Sequence, residues 1–234
     1  GFGQNGPLKL NPAYDQIIQG LCGVMSVTGD AQSAPLRVGY PVADTMGGIT
    51  AAFAIAAALF RRARTGEGEL IDVSMLESSL VAMGWAVSNW LIAGVRPTPM
   101  GNENASAAPS GAFRTGRGLL NIAANQQEQW ESVCDALGVP ELKTDARCEK
   151  RDVRKANRKQ LTPLLETKLA EHPSSHWVEV LNGKGVPSGE ILGLGAALAQ
   201  PQIAHRGTIQ TVAEPGLGDL RLFNLPAKFE KTPA

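Results

Sequence analysis

Apolar residues recur at helical spacing in the first part of the chain. Between residues 14 and 21 they fall at i, i+3, i+4 and i+7, which predicts a helix that begins at Pro12 and ends at Gly23. The most apolar run, residues 46–60, contains many alanines and glycines. Because these 15 residues are fewer than a membrane-spanning helix needs, we expect a buried helix over about residues 44–64.

The remaining pattern predicts further helices and a few strands. Residues 75–93 keep helical spacing and predict one helix, whereas the alternation over residues 69–74 predicts a strand. Residues 112–115 and 118–123 flank a Gly-Arg pair and predict a β-hairpin. Strand-like pieces also occur within residues 208–223. The order of elements is therefore that of a mixed helix and strand protein.

Prolines and glycines divide the chain. They interrupt residues 94–111 without any hydrophobic period, which is typical of a linker or a ligand-binding loop. We therefore predict three parts: residues 1–95, residues 96–195 and a final segment of residues 196–234.

The composition is that of an ordinary globular protein, with 43% hydrophobic and 19% charged residues. Lys and Arg together number 22, as do Asp and Glu, so net charge predicts neither a nucleic acid nor a membrane as partner. The three cysteines form no C-x-x-C pair, and we expect a reducing cytoplasm. Pro173 separates two of the three histidines, and we expect no metal site.

Two other patterns carry little functional weight. Residues 1–6 match G-x-G-x-x-G, but Pro7 follows where a dinucleotide-binding fingerprint needs a helix. Residues 150–159 contain three basic pairs without interleaved aromatic residues. We interpret this basic run as a solvated helix face rather than a nucleic-acid site.

Asp44 is the strongest candidate for chemistry. Its small neighbours Ala43, Gly47 and Gly48 leave room for a bulky reactant. A helix that starts there directs unpaired backbone N–H groups at incoming negative charge. A carboxylate at this place also suits a helix cap, so the residues alone leave both roles open.

Several short segments keep a specific order and spacing. They are GFGQNGP at residues 1–7, PAYD at 12–15, VADTMGG at 42–48, TGEG at 65–68 and DVSM at 72–75. Together they resemble the class III coenzyme A transferases of the CaiB/BaiF superfamily, which include the formyl-CoA and carnitine-CoA transferases. NRKQL at residues 157–161 and GVPSG at 185–189 extend the resemblance over most of the chain.

The resemblance implies roles for particular residues. Asp44 matches the catalytic aspartate of the family, and Tyr14 matches an aromatic residue that lines the CoA site. Further CoA contacts are expected from neighbouring positions, namely Pro12, Ala13, Asp15 and Met75. The run of consecutive glycines that some members use as a lid is absent from this chain, and residues 101–111 occupy about its place. Gly101 and Asn102 are expected there in a substrate loop.

The reaction that the resemblance implies is transfer of CoA from an acyl-CoA to a small carboxylic acid. Asp44 would attack the thioester to give a mixed anhydride, and the released thiolate would then convert it into an aspartyl-CoA thioester. Carboxylates are ionised at neutral pH, so this nucleophile needs no general base. CoA is a substrate here, and no permanently bound cofactor is expected.

Two alternatives stay open. The alpha-methylacyl-CoA racemases of the superfamily use a histidine where this chain has Tyr14, and without that base a transferase is favoured. A non-catalytic CoA-binding or oligomerisation fragment is the other, because we expect the family's N-terminal segment and C-terminal end to be missing.

The resemblance also implies a fold and an assembly. We expect an α/β fold in which residues 1–95 are the helix-rich part of a Rossmann-like large domain that binds CoA. Residues 96–195 would form a smaller α+β domain, and residues 196–234 a linker that returns to the large domain. Members of the family form interlocked homodimers, and the same is expected of the full-length protein.

Overall fold

A computed structural model describes residues 1–232, which fall into two units, Gly1–Ala105 and a second unit from Ser106 onward. The boundary lies ten residues after the predicted one at residue 95. The backbone N–H of Val95 donates to the carbonyl of Asn89 at 3.2 Å, and that of Gly101 donates to Gly29 at 2.6 Å. These bonds join the start of the proline-rich segment to the first unit.

The first unit is helical throughout its regular elements. They are α1 (Asp15–Leu21), α2 (Val24–Val27), α3 (Val42–Thr65), α4 (Met75–Ala82) and α5 (Trp85–Ala93). Helix α1 ends as predicted before Gly23, whose φ of 85° is left-handed. It begins at Asp15 rather than Pro12, because Tyr14 has an extended backbone. Ala13 lies against Gly1, where an added Cβ would be 2.8 Å from the Ala13 Cβ.

Two other predictions for this unit are wrong. Residues 69–74 form no strand, since no strand within residues 1–232 pairs with them, and alternation alone supplies no hydrogen-bonding partner. The single helix predicted over residues 75–93 is broken at Gly84, which has a φ of 47°. That positive φ is not helical, so it separates α4 from α5.

Helix α3 is longer and more exposed than predicted. It has 24 residues, a length of about 36 Å, and ends where Gly66 donates to the carbonyl of Arg62 at 2.8 Å. Only Ala43 and Gly47 are buried along it, and Phe53 remains 76% exposed. The prediction of a buried helix is thus wrong for most of α3. Within residues 1–232, other parts of the protein bury only its first turns. By length and composition α3 could cross a membrane, although the core helix of a soluble protein meets the same criteria.

The second unit contains a three-stranded antiparallel sheet in the order β1 (Ser110–Arg114), β2 (Leu119–Ala123) and β3 (Ser188–Glu190). The predicted hairpin is confirmed, with Phe113 opposite Leu120. The helices of this unit are α6 (Gln127–Ala136), α7 (Arg151–Ala156), α8 (Arg158–Leu169), α9 (Ser174–Gly183), α10 (Leu194–Leu198) and α11 (Pro201–His205), with a 3₁₀ turn at Pro140–Lys143.

A cluster of buried apolar side chains forms the core of the second unit. Leu120 and Ile122 on β2 point inward while Leu119 and Asn121 point outward, as the two-residue period of a strand requires. The inward side chains pack with α6, α8 and α9, from which Trp130, Leu165 and Leu181 are fully buried. Burial in this core raises the pKa of the Cys134 thiol to about 12.

Arg154 on α7 is almost completely buried, at 1% exposure, so the solvated face predicted for the basic run is wrong at this residue. Its Nε donates to the carbonyl of Ala108 at 2.7 Å, and its Nη1 donates to Cys148 at 2.7 Å and Glu149 at 3.0 Å. The guanidinium lies 4.8 Å from the ring centre of Trp130. Carbonyl oxygens and an aromatic face therefore replace the water that this charge gives up.

The final segment is structured over its described part. After α10 and α11, strands β4 (Ile209–Glu214) and β5 (Gly218–Phe223) pair as an antiparallel hairpin. This confirms the strand-like pieces predicted within residues 208–223. The last two residues of the predicted linker lie outside the described residues, and its return to a large domain stays a prediction.

Candidate functional site

Asp44 lies in the first turn of α3. The helix begins at Val42, so Asp44 is the third helical residue and not the cap. Its side chain is exposed, and no hydrogen bond or ion pair to its carboxylate occurs within residues 1–232. The carboxylate is therefore free to meet another molecule.

A different carboxylate caps α3. Asp15, the first residue of α1, accepts a hydrogen bond from the backbone N–H of Ala43 through Oδ1 at 2.9 Å. Its Oδ2 accepts from Nε2 of Gln19 at 2.7 Å. Asp15 was predicted as a CoA contact, and the structure bonds it to the residue before Asp44 with both oxygens engaged inside the protein.

The backbone N–H groups at the start of α3 are largely committed. Val42 donates to the carbonyl of Tyr40 at 2.8 Å, Ala43 donates to Asp15, and Thr45 donates to the carbonyl of Pro41 at 3.0 Å. The expectation that unpaired N–H groups would face a ligand is wrong for these three, because the turn before the helix and Asp15 already occupy them. The positive end of the helix dipole still lies at this turn.

Met75 packs beside the turn that carries Asp44. A Cβ added at Gly47 would lie 3.1 Å from Met75 Cγ, so α3 and the start of α4 approach closely here. Residues three apart are neighbours on a helix, which puts Gly47 next to Asp44. Ser74 holds the start of α4, since its Oγ accepts from the Glu77 N–H at 3.3 Å. Met75 is half-buried, and its side chain lies against Gly47, three residues after Asp44.

The glycine-rich segment at the start of the chain runs along the beginning of α4. The carbonyl of Gly1 accepts from the N–H of Leu76 at 3.2 Å, and Oδ2 of Asp72 accepts from the N–H of Gln4 at 2.9 Å. Gly6, the third glycine of the G-x-G-x-x-G match, leads into a turn, and the next helix begins only at Asp15. This geometry does not fit a dinucleotide-binding fingerprint.

The other predicted CoA contacts are distributed around α1. Tyr14 directly precedes Asp15 and is 82% exposed, and Pro12 is also exposed. Ala13 is half-buried against Gly1. The structure therefore brings Asp15 and Met75 to the turn that holds Asp44, and leaves Pro12 and Tyr14 open at the protein surface.

The predicted substrate loop contacts another part of the first unit. Gly101 donates to the carbonyl of Gly29 at 2.6 Å, and an added Cβ would lie 3.3 Å from the Cβ of Asp30. Hydrogen bonds from Ser33 to the carboxylate hold the pKa of Asp30 below its usual value. Asn102 is exposed. These contacts of Gly101 are with the turn after α2.

The histidines of the second unit lie at its surface. The rings of His172 and His176 are 4.1 Å apart, and both meet the edge of Trp177. Within residues 1–232 no group of three or more His, Cys, Asp or Glu side chains is placed to hold a metal ion.

Sequence reasoning missed Gln19. It is fully buried, and its side chain bonds Asp15, Val38 and the carbonyl of Tyr40. Its spacing of four residues from Asp15 on one helix was the available signal, since such pairs can bond on a helix face. Nothing in the sequence shows that the segment of residues 38–43 covers this face.

The family model for CoA-transferase family III matches residues 1–234. The chain belongs to CoA-transferase family III. It is 38% identical over 210 residues to the acetyl-CoA:oxalate CoA-transferase of Acetobacter aceti, covering 89% of this chain and 54% of that protein. It is 32% identical over 231 residues to the succinyl-CoA:glutarate CoA-transferase of Mus musculus, covering 99% of this chain and 53% of that protein.

A solved structure of a CAIB/BAIF family protein from Brucella suis matches the fold with a TM-score of 0.86 and 31% identity. The match covers 100% of this chain and 60% of that chain. The predicted α/β fold of the class III CoA-transferases is thus confirmed. The chain spans about half the length of the curated relatives that it matches.

Proposed function

We propose that the full natural polypeptide carrying this chain transfers CoA from an acyl-CoA thioester to a carboxylic acid, with Asp44 as the nucleophile. The observation that carries the proposal is the free, exposed carboxylate of Asp44 in the first turn of α3. Asp15 holds this turn through its hydrogen bond to the N–H of Ala43. Relatives named for CoA transfer to oxalate and to glutarate support the reaction class.

The first step is attack of the Asp44 carboxylate on the thioester carbonyl. The C–S bond breaks, the CoA thiolate leaves with the electron pair, and a mixed anhydride forms between Asp44 and the acyl group. A thiol has a reference pKa of about 8.5, so its thiolate is a competent leaving group near neutral pH. The positive end of the α3 dipole lies where the tetrahedral oxyanion develops and stabilises it.

The thiolate then attacks the Asp44 carbonyl of the anhydride, which releases the donor acid and leaves an aspartyl-CoA thioester. The acceptor carboxylate reverses these two steps and departs as the new acyl-CoA. Met75 and the chain before α1 would hold the thioester near Asp44, because binding energy from unreactive parts of CoA is what positions the reacting carbonyl.

The test is chemical trapping of the covalent enzyme. With an acyl-CoA and hydroxylamine, we expect a hydroxamate on Asp44, found by peptide mass spectrometry. Acetyl-CoA and succinyl-CoA are suitable donors, with oxalate and glutarate as first acceptors. We expect Asp44→Asn to lower kcat by at least about 1,000-fold, because the nucleophile is lost.

Glu69→Gln is the matched control, since Glu69 is an exposed carboxylate of the same unit that follows the C-terminal end of α3. It should trap and turn over like the wild type. An unmodified Asp44 across the donor panel would contradict the proposal. Exchange of solvent deuterium into the alpha carbon without acyl transfer would favour racemase chemistry instead.

We also propose that the full polypeptide works as a homodimer. Large apolar side chains of the first unit face outward in this chain, among them Phe53 and Phe60 on α3 and Leu91 on α5. Such surfaces are typical of faces that other protein covers. A monodisperse monomer in light scattering would contradict this assembly.

A further inference from the structure

Gln19 is a fully buried polar side chain in a unit that has few buried residues. A buried amide costs free energy unless its donors and acceptor are paired. Here Oε1 accepts from the N–H of Val38 at 2.8 Å, and Nε2 donates to Oδ2 of Asp15 at 2.7 Å. Nε2 also lies within 3.4 Å of the carbonyl of Tyr40. The amide is thus satisfied on both sides.

These bonds form a continuous path that ends beside the proposed nucleophile. The path runs from Val38 through Gln19 to Asp15, and from the other oxygen of Asp15 to the N–H of Ala43 at 2.9 Å. Ala43 is itself buried and immediately precedes Asp44. Helix α1 therefore holds both the turn over residues 38–41 and the first turn of α3.

The path depends on the amide and not only on the size of the side chain. An apolar side chain of similar volume would leave the Val38 N–H and one Asp15 oxygen without partners. A glutamate could accept from Val38 but would set a second carboxylate against Asp15. Only a group that accepts at one end and donates at the other completes the path as it stands.

We infer that Gln19 and Asp15 are positioning residues for Asp44, joined as a buried Asp-Gln pair that sets where its carboxylate lies. The inference rests on the proposed function of Asp44. Near-attack geometry is sensitive, and a displacement of about 1 Å can cost about 100-fold in rate. The pair acts on Asp44 through the backbone, so it need not touch the substrate.

Gln19→Glu in the full natural polypeptide tests the inference. We expect kcat to fall by about 10- to 100-fold, with KM for acyl-CoA within about threefold of the wild type. Burial and the neighbouring Asp15 both disfavour a charged glutamate, so the pKa of the introduced carboxyl is raised. As pH falls the carboxyl regains its proton and can donate again. The ratio of variant to wild-type kcat should therefore rise from pH 8 to pH 6.

Gln16→Glu is the matched control, because Gln16 is exposed on the same helix. It makes the same change of charge without entering the buried path. We expect its kcat, KM and pH profile to follow those of the wild type.

The double variant Asp15→Asn with Gln19→Glu moves the carboxylate to position 19 and the amide to position 15. The path of hydrogen bonds from Val38 to Ala43 is kept. The introduced glutamate would accept from Val38 and from the introduced asparagine amide, whose oxygen would still accept from Ala43. We expect kcat to recover to within about fivefold of the wild type, which a merely space-filling role for the buried Gln19 does not predict. This variant also serves if Gln19→Glu alone fails to fold, as judged by circular dichroism.

Outcomes for the pair and for the proposed function are distinct. Wild-type protein that forms no hydroxamate on Asp44 overturns the proposed function. Wild-type protein that traps normally, together with a folded Gln19→Glu of unchanged kcat, overturns the positioning role alone. A double variant that stays unfolded, or folds without recovering kcat, overturns it as well.

Discussion

Arg154 shows how far one side chain can depart from its neighbours in sequence. Arg151 is exposed and donates to the carbonyl of Ser106 at 3.0 Å, whereas Arg154 is buried with several acceptors. Both belong to the same basic run, so sequence pattern assigns them one role. The acceptors of Arg154 come from Ala108 and Cys148, which only the folded unit brings to α7.

We predict that Arg154→Met lowers the free energy of unfolding by about 3 kcal/mol, because buried carbonyl groups lose a charged donor. Arg154→Lys should lower the free energy of unfolding by less than Arg154→Met, because lysine keeps the charge. Some loss should remain, because one ammonium group cannot reach several acceptors at once. Urea unfolding followed by tryptophan fluorescence measures both.

Arg151→Met is the control and should cost less than about 1 kcal/mol, as an exposed single bond does. Equal costs at Arg151 and Arg154 would show that the buried bonds contribute nothing specific.

The residues of the candidate site were predictable to different degrees. Asp44 and Met75 followed from motif spacing, and the structure places them at adjacent turns of α3 and α4. Asp15 also followed from the motif, but its hydrogen bond to Ala43 did not. Gln19 was missed, because a polar residue on a helix is usually exposed. Its burial becomes visible only when the segment that packs over it is known.

At the scale of elements, the contact between α3 and α4 depends on a missing side chain. Gly47 is buried against Met75, whereas a Cβ at the next residue, Gly48, would meet nothing within 4 Å. The two consecutive glycines thus differ in the space available for a side chain.

We predict that Gly47→Val destabilises the protein by about 1 to 3 kcal/mol, because the added methyl groups push Met75 and separate the two helices. Gly48→Ala should stabilise it by about 0.5 to 1 kcal/mol, since alanine restricts the unfolded chain and favours helix. Thermal unfolding of the two variants provides the comparison. If both changed stability alike, packing at Gly47 would not limit the approach.

Element ends were predictable where glycine geometry sets them. Helices α1 and α3 end at Gly23 and Gly66, both with positive φ, and a glycine signal in the sequence suffices there. The break at Gly84 carried the same signal inside an otherwise helical pattern and was not predicted. The prediction of a strand over residues 69–74 was wrong for another reason. A strand requires a second strand to pair with, and no local pattern specifies one.

At the scale of the whole molecule, the two units differ in how well they bury apolar surface. The core of the second unit runs from Phe113 to Val186 and includes Trp130 and Trp177. In the first unit Ile18, Cys22, Ala43 and Ala86 are the buried apolar residues within the described chain. Burial of large apolar side chains is the main stabilising contribution to a fold, so the second unit holds most of it.

We predict that residues 106–232, expressed alone, unfold cooperatively in urea with protected tryptophans. Residues 1–105 alone should bind a hydrophobic dye and show no cooperative transition, because their helices leave large apolar side chains in water. Circular dichroism and dye fluorescence of the two fragments test this. A cooperative, dye-free first fragment would contradict the division.

Local spacing and motifs along the chain were enough to predict the family, helices α1 and α3, the β1–β2 hairpin and Asp44 as the candidate nucleophile, because each of these can be read from residues that are close in sequence. Folding set the contacts that the side chains in and around those motifs make. Asp15 bonds to the backbone at the start of α3, Gln19 is the buried hydrogen-bond partner of Asp15, and Arg154 is buried. Each of these roles depends on acceptors and donors that folding brings together, and most of them lie far apart in sequence.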